Sequence, residues 1–142
     1  MIRPAKSEDI NSIHKLLKQI SLLHYQLYPE YFNNDLPKYN HTEIEELIND
    51  SSKTVLVYKD AEVEGYLIGW NVNNAFFIDD ICVDESTKGK GIGKELINSI
   101  KRFSKYKNIQ LNVWLKNEPA INFYKKLGFE TLKLVLSKEI ND

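Results

Sequence analysis

Two stretches of this sequence carry residues whose types and spacing suit chemistry. The first is an acid pair, Asp79-Asp80, inside the run Phe76-Phe77-Ile78-Asp79-Asp80-Ile81-Cys82-Val83. The rest of that run is apolar or β-branched, as a strand requires. Two adjacent carboxylates in such a strand are costly to bury without partners, and a cation is a partner that would satisfy them. Side chains alternate along a strand, so only one of the two acids should face a cleft unless a bulge intervenes. The second stretch is the turn that follows, Ser86-Thr87-Lys88-Gly89-Lys90-Gly91-Ile92-Gly93. It opens a helical stripe of Ile92, Leu96, Ile97, Ile100 and Phe103. A glycine-rich turn that leads into a helix presents free N–H groups at the positive end of the helix dipole. Such a turn is an anion site, and pyrophosphate is its usual occupant.

Two common phosphate motifs do not fit. A Walker A loop, G-x-x-x-x-G-K-[ST], fails twice: Glu95 follows Gly93-Lys94, and Lys88 stands five positions before Gly93. The dinucleotide fingerprint G-x-G-x-x-G fails because Lys94 occupies the place of its third glycine. A tight strand-to-helix reversal, with the glycines serving only chain geometry, is the bland reading of the same residues.

The elements that would position these residues can be read in order. Ile2-Arg3-Pro4 suits a short edge strand. Ser7 is expected to cap a helix with Glu8 and Asp9 in its first turn, apolar at Ile10, Ile13, Leu16, Leu17, Ile20 and Leu23, ending before Pro29. His14 and His24 on that helix read as surface or packing residues. Residues 25–40 are aromatic and irregular, suited to a packed loop or to one wall of an amine site, where Glu30 or Asp35 could pair with a cation. Thr42-Glu43-Ile44-Glu45 is expected to be a capping box for a helix from Glu43 to about Asn49. Strands at 54–59, 63–70 and 75–83, joined by short turns, form an antiparallel meander. The helix after the glycine-rich turn is expected to reach Tyr106. A strand at 109–115 would then lie parallel to the one at 75–83 in a right-handed βαβ unit. Pro119 and Gly128 bracket a last helix, and Phe129 to Leu136 reads as a closing strand.

The totals bound the function. The chain has 142 residues, 42% hydrophobic and 27% charged, and is expected to form a single domain over 1–142. A net charge of −1 gives no nucleic-acid footprint. The one cysteine, Cys82, excludes an internal disulfide and a cysteine-rich metal site, and no metal is expected. No stretch reaches the length of a membrane span, and the N-terminus lacks the apolar run of a signal peptide, so no membrane partner and a cytoplasmic location are expected.

Lys88-Gly89-Lys90-Gly91-Ile92-Gly93 resembles the [RQ]-x-x-G-x-[GA] pyrophosphate loop of the GNAT N-acetyltransferase superfamily, with Lys88 where arginine or glutamine is usual. Asn117, Ala120, Phe123, Tyr124, Lys126, Gly128 and Phe129 resemble that family's second signature, N-x-x-A-x-x-[FL]-Y-x-[KR]-x-G-F. The two matches span roughly residues 75–130 in the family's order. The resemblance implies an α/β fold of the GNAT type, a mixed central sheet that splays open between the strands at 75–83 and 109–115, flanked by helices. It implies acetyl-CoA as acyl donor in that gap. The pantetheine arm would meet the backbone of Ile81, Cys82 and Val83. The pyrophosphate would meet the loop Lys88, Gly89, Lys90, Gly91, Ile92 and Gly93, with Asn117 orienting the cofactor arm.

For catalysis, the resemblance places Tyr124 where a phenol protonates the departing thiolate. Asp79 and Asp80 resemble the acidic strand of diamine and polyamine acetyltransferases, where they bind or deprotonate the amine. The implied reaction is direct attack of a primary amine in a ternary complex, since Cys82 has no activating partner for a covalent route. A small cationic amine is the first acceptor expected. A protein N-terminus or lysine, an aminoglycoside, and a non-catalytic acyl-CoA sensor are the alternatives. The assembly considered is a homodimer.

Overall fold

The computed structural model describes residues 1–33, 36–105 and 107–141. The expected Asp35 contact and the Tyr106 end of the third helix fall outside them. Met1–Asn112 and Val113–Asp142 are two compact units.

In the first unit, β1 (Ile2–Pro4), β2 (Lys53–Lys59), β3 (Val63–Val72), β4 (Ala75–Val83) and β5 (Ile109–Leu111) form one sheet in that spatial order. The first three pairings are antiparallel and β4–β5 is parallel. This is the expected meander plus a parallel return. Asn73 and Asn74 both take positive φ, 51° and 63°, the mirror-image turn that matches the twist of a two-residue hairpin.

Helices cover both faces. α1 (Ile10–Leu27) and α2 (His41–Asn49) lay Ile13, Leu16, Leu17 and Ile44 against Val55, Val57, Tyr66, Ile68 and Cys82. α3 (Ile92–Ser99) lies on the other face: a Cβ added at Gly65 would come within 3.1 Å of Ile92 and 3.3 Å of Leu96. Arg3 ties the start of α1 to the edge strand through a two-pronged bond to Asp9, 2.7 and 3.1 Å, with Asp9 only 1% exposed. Burial pushes the Asp9 carboxyl upward, but the Arg3 guanidinium and the Lys6 N–H outweigh it and hold it below the usual carboxylate range.

Local chemistry moved several boundaries. Ser7 does not cap α1; Ser7–Asp9 is a 3-10 turn, and Asp9 accepts the Lys6 N–H instead. The cap of α2 is Asn40, not Thr42: Asn40 and Glu43 exchange side-chain-to-backbone bonds of 2.8 and 3.0 Å, so the helix begins at His41. α3 tightens into a 3-10 turn at Ile100–Arg102 rather than running on. β5 is three residues long, not seven.

The second unit, taken alone, holds α4 (Glu118–Lys126), with Gly128 at φ 96° just beyond its end. The closing strand expected at Phe129 to Leu136 has no regular structure there. Alternating residues favour a strand, but a strand exists only with a ladder partner, and within that unit none is formed.

Candidate functional site

The site is built on an irregularity in β4. Ile78 pairs with Gly69 and Asp80 pairs with Ile68, so Asp79 is an extra residue opposite no partner. Gly69 permits this: a Cβ there would lie 2.5 Å from the Phe77 carbonyl oxygen and from the Phe76 ring. The inserted residue reverses the alternation. Phe76 packs at Gly69 on the α3 face, whereas Asp80 and Cys82 lie opposite Ile68 and Tyr66 on the face covered by α1. Asp79 also points to the α1 face, where Tyr39 donates to its Oδ2 at 2.5 Å and packs against the core beneath α1. Both acids therefore face one side, the exception that strict alternation leaves open.

Each acid has its own protein partners. Lys38 Nζ lies 3.1 Å from Asp79 Oδ1 and donates to the Asp79 carbonyl oxygen at 3.0 Å. Tyr66, fully buried on β3, donates its hydroxyl to Asp80 Oδ2 at 2.8 Å. Burial pushes the Asp80 carboxyl up to about 6, against the downward pull of Lys38, Tyr66 and the Ile81 N–H, and with Asp79 adding to the rise. Burial, with the neighbouring acids, also pushes the Tyr39 and Tyr66 phenols upward, so both stay protonated donors at neutral pH. Asp80 is thus a carboxyl that is ionised at neutral pH yet close enough to neutrality to accept and return a proton.

The open edge of β4 comes next. Its ladder with β5 ends at Ile78↔Leu111. Asp84 N–H donates to the Glu64 carbonyl at 2.8 Å, and alternation from there turns the peptide groups of Cys82 toward β3 and those of Ile81 and Val83 toward the open edge. The expected backbone surface of Ile81, Cys82 and Val83 narrows to the first and last of these. Gln19 of α1 donates to the Val83 carbonyl at 3.0 Å. The Ile81 carbonyl and Val83 N–H have no ladder partner among the described residues. Cys82 is buried and donates its thiol to the Leu16 carbonyl at 3.5 Å. Burial pushes that thiol up to about 12, so it is no nucleophile at neutral pH.

Beyond β4, Asp84 caps the turn by accepting from Ser86 N–H at 2.9 Å. Gly89 and Gly91 take φ of 90° and 78°, conformations that side chains disfavour, and nothing lies within 4 Å of a Cβ built at either. Gly91 is the N-cap of α3 with no side-chain cap. Among the described residues, no protein acceptor takes the N–H groups of Gly89, Lys90, Gly91, Ile92 and Gly93. Lys88 is exposed and pairs with Glu85 at 3.0 Å. Unbonded N–H groups at a helix start, open space before two glycines and peptide groups with no ladder partner among the described residues fit a ligand that carries both phosphate and amide groups.

In the second unit, Asn117 accepts from the Ala120 N–H at 3.4 Å and starts α4. Tyr124 is partly buried between Phe123 and Phe129, with ring centroids 5.2 and 5.5 Å away in edge-to-face contact. Sequence reasoning did not single out Lys38, Tyr39, Tyr66 or Gln19. The aromatic character of 25–40 hinted at Tyr39, and Tyr66 stands two positions before Ile68, which pairs with Asp80; Lys38 left no signal.

The sequence pattern described as the acetyltransferase (GNAT) family matches residues 20–129. An uncharacterized N-acetyltransferase of Methanocaldococcus jannaschii is 41% identical over 61 residues, 41% of this chain and 27% of that protein. An N-alpha-acetyltransferase of Sulfurisphaera tokodaii is 29% identical over 150 residues, 94% of this chain and 82% of that one. The spermine/spermidine N(1)-acetyltransferase of Bacillus subtilis is 34% identical over 64 residues, 42% of each chain. The first and third matches thus span less than two thirds of the relative's length. Among solved structures, a tetramutant of the BH1408 protein from Bacillus halodurans superposes with a TM-score of 0.90 at 25% identity over 99% of each chain. The PaiA N-acetyltransferase of Thermoplasma acidophilum, in complex with coenzyme A, gives a TM-score of 0.80 at 19% identity over 95% of this chain and 92% of that one.

Proposed function

The chain belongs to the acetyltransferase (GNAT) family, and from that premise we propose that it moves the acetyl group of acetyl-CoA onto a primary amine of a small cationic acceptor. The fold is the family's mixed sheet flanked by helices. We read residues 1–142 as one acetyltransferase domain. The observation that carries the acceptor assignment is the bulge at Asp79, which turns two adjacent carboxylates to the same side. The polyamine substrate named for the Bacillus subtilis relative supports it.

The residues divide the work. The N–H groups of 89–93 would hold the pyrophosphate, and the Ile81 carbonyl and Val83 N–H the amide arm, with the role of orienting that arm assigned to Asn117 by the family's second signature. When bound, acetyl-CoA supplies an activated acetyl thioester. Asp79 binds an ammonium of the acceptor. Asp80, ionised above about pH 6, takes the proton that the attacking nitrogen must lose, directly or through one water. Tyr66 keeps the Asp80 carboxyl oriented. Tyr124, at the family's phenol position, protonates the leaving sulfur. Cys82 stays a buried thiol outside the reaction.

The test is release of CoA thiol across spermidine, cadaverine, an aminoglycoside, a lysine peptide and peptides with free N-termini, for the parent, Asp80→Asn and Tyr124→Phe. Turnover of the di- and polyamines is expected, falling at least about tenfold in either variant, roughly 1.4 kcal/mol of barrier. Turnover confined to peptide N-termini would move the acceptor to the second reading, which the N-alpha-acetyltransferase similarity over 94% of this chain favours. Binding of acetyl-CoA with no turnover on any amine would leave a sensor.

A further inference from the structure

The contact between Lys38 and Asp79 has a shape that a plain surface ion pair does not need. The Lys38 ammonium is held by two oxygens of one residue, the Asp79 carboxylate at 3.1 Å and the Asp79 carbonyl at 3.0 Å. The other carboxylate oxygen is taken by Tyr39. The same positive charge pulls down the Asp80 carboxyl, so both acids feel it. Asp79 is 12% exposed while Lys38 remains 46% exposed, so the oxygens belong to the protein interior and the ammonium to its rim. Lys38 stands on neither helix nor strand, in the irregular stretch between α1 and α2. Its stem can swing without disturbing an element.

We propose that Lys38 is a tethered occupant of the acceptor's ammonium subsite: its own ammonium fills the Asp79 oxygen cradle in the resting protein, and a cationic acceptor must displace it to bind. The proposal rests on the amine-acceptor reading above and names what sets its selectivity. Exchanging one ammonium for another never leaves Asp79 unpaired, which would be the costly step in a partly buried site. The lysine moves into water, where its already half-exposed ammonium regains full solvation, so displacement is cheap. A neutral acceptor offers nothing in exchange and leaves Lys38 in place. A diamine gives one ammonium to Asp79 and keeps its other nitrogen for attack. The lysine therefore acts as a filter for acceptors with two amino groups.

The experiment is calorimetric binding of spermidine to the parent, Lys38→Met, Lys38→Gln and Lys38→Arg, followed by acceptor KM in the thiol-release assay. Both uncharged variants should bind spermidine roughly five- to tenfold tighter than the parent and show a lower acceptor KM, and Lys38→Arg should not gain affinity. Either uncharged variant suffices if the other fails to fold. Spermidine binding by the parent with equal or weaker binding by both uncharged variants overturns the filter alone and makes Lys38 a brace for Asp79. No spermidine binding by any of the four proteins overturns the cationic-acceptor reading and the filter together.

Discussion

Asp80 joins the electrostatics of the site to a pH dependence that can be measured. Its carboxyl is raised to about 6, with burial the largest cause and Tyr66 and Lys38 acting against it. As a proton acceptor it works only when ionised. The acceptor kcat/KM should therefore climb with pH through about 6, and the limb should vanish from the residual activity of Asp80→Asn. Tyr66→Phe removes a bond that favours the ionised form, so it should move the limb to higher pH. A limb that stays in place in Tyr66→Phe would separate that hydroxyl from the titrating group. The sign for folding is the reverse of the usual carboxylate case. Between the unfolded value near 4 and about 6, the folded chain binds more protons, so this group's contribution to stability falls as pH rises across that window. Asp9, held low by Arg3, does the opposite: its contribution is present above the unfolded value and is lost as pH falls through the folded one.

The strand that carries the acids depends on the glycine opposite it. At Gly69 a Cβ would meet the Phe77 carbonyl and the Phe76 ring at 2.5 Å, and the backbone carbonyl cannot yield without shifting β4. Gly69→Ala should lose about 2 kcal/mol of stability in urea unfolding, the scale of overpacking. It should also reduce kcat/KM at least roughly tenfold, because displaced acids lose their alignment with the amine. Parent-like kinetics in a variant that still folds would mean the bulge does not position the acids. Gly65, where a Cβ would lie 3.1 Å from Ile92, shows a milder form of the same constraint on the same sheet face.

For the protein taken as a whole, ligand binding and stability are linked. A ligand that engages only the folded chain stabilises it by about 2.7 kcal/mol at a hundredfold excess over Kd. Acetyl-CoA at that excess should raise Tm by roughly 5–10 °C in a chain of this size. Gly91→Ala forces a side chain into positive φ, costing roughly 1–2 kcal/mol, and should both lower the starting Tm and shrink the acetyl-CoA shift. An undiminished shift in that variant would place the phosphate elsewhere. No described helix is long and apolar enough to cross a membrane.

Legibility in the sequence followed how local each cause was. The glycine-rich turn, the meander and the Pro119–Gly128 helix could be read because each rests on backbone preferences of adjacent residues. The strand expected at Phe129 to Leu136 and the long fifth strand did not appear at those lengths, because ladder length depends on a partner remote in sequence. The acid pair was visible in the sequence, but its geometry was not. Whether Asp79 and Asp80 face opposite sides or the same side turns on one unpaired residue next to the Gly69–Ile78 pair, and Gly69 is ten positions away from it along the chain. Lys38, Tyr39 and Tyr66 reach the acids only because α1, the segment after it and β3 fold onto one sheet face. Residue type alone marked Asp79 and Asp80 as the ionisable groups of an otherwise apolar strand. Burial and the partners that folding brings raise the Asp80 carboxyl toward neutrality, since desolvation and through-space charge belong to the folded chain.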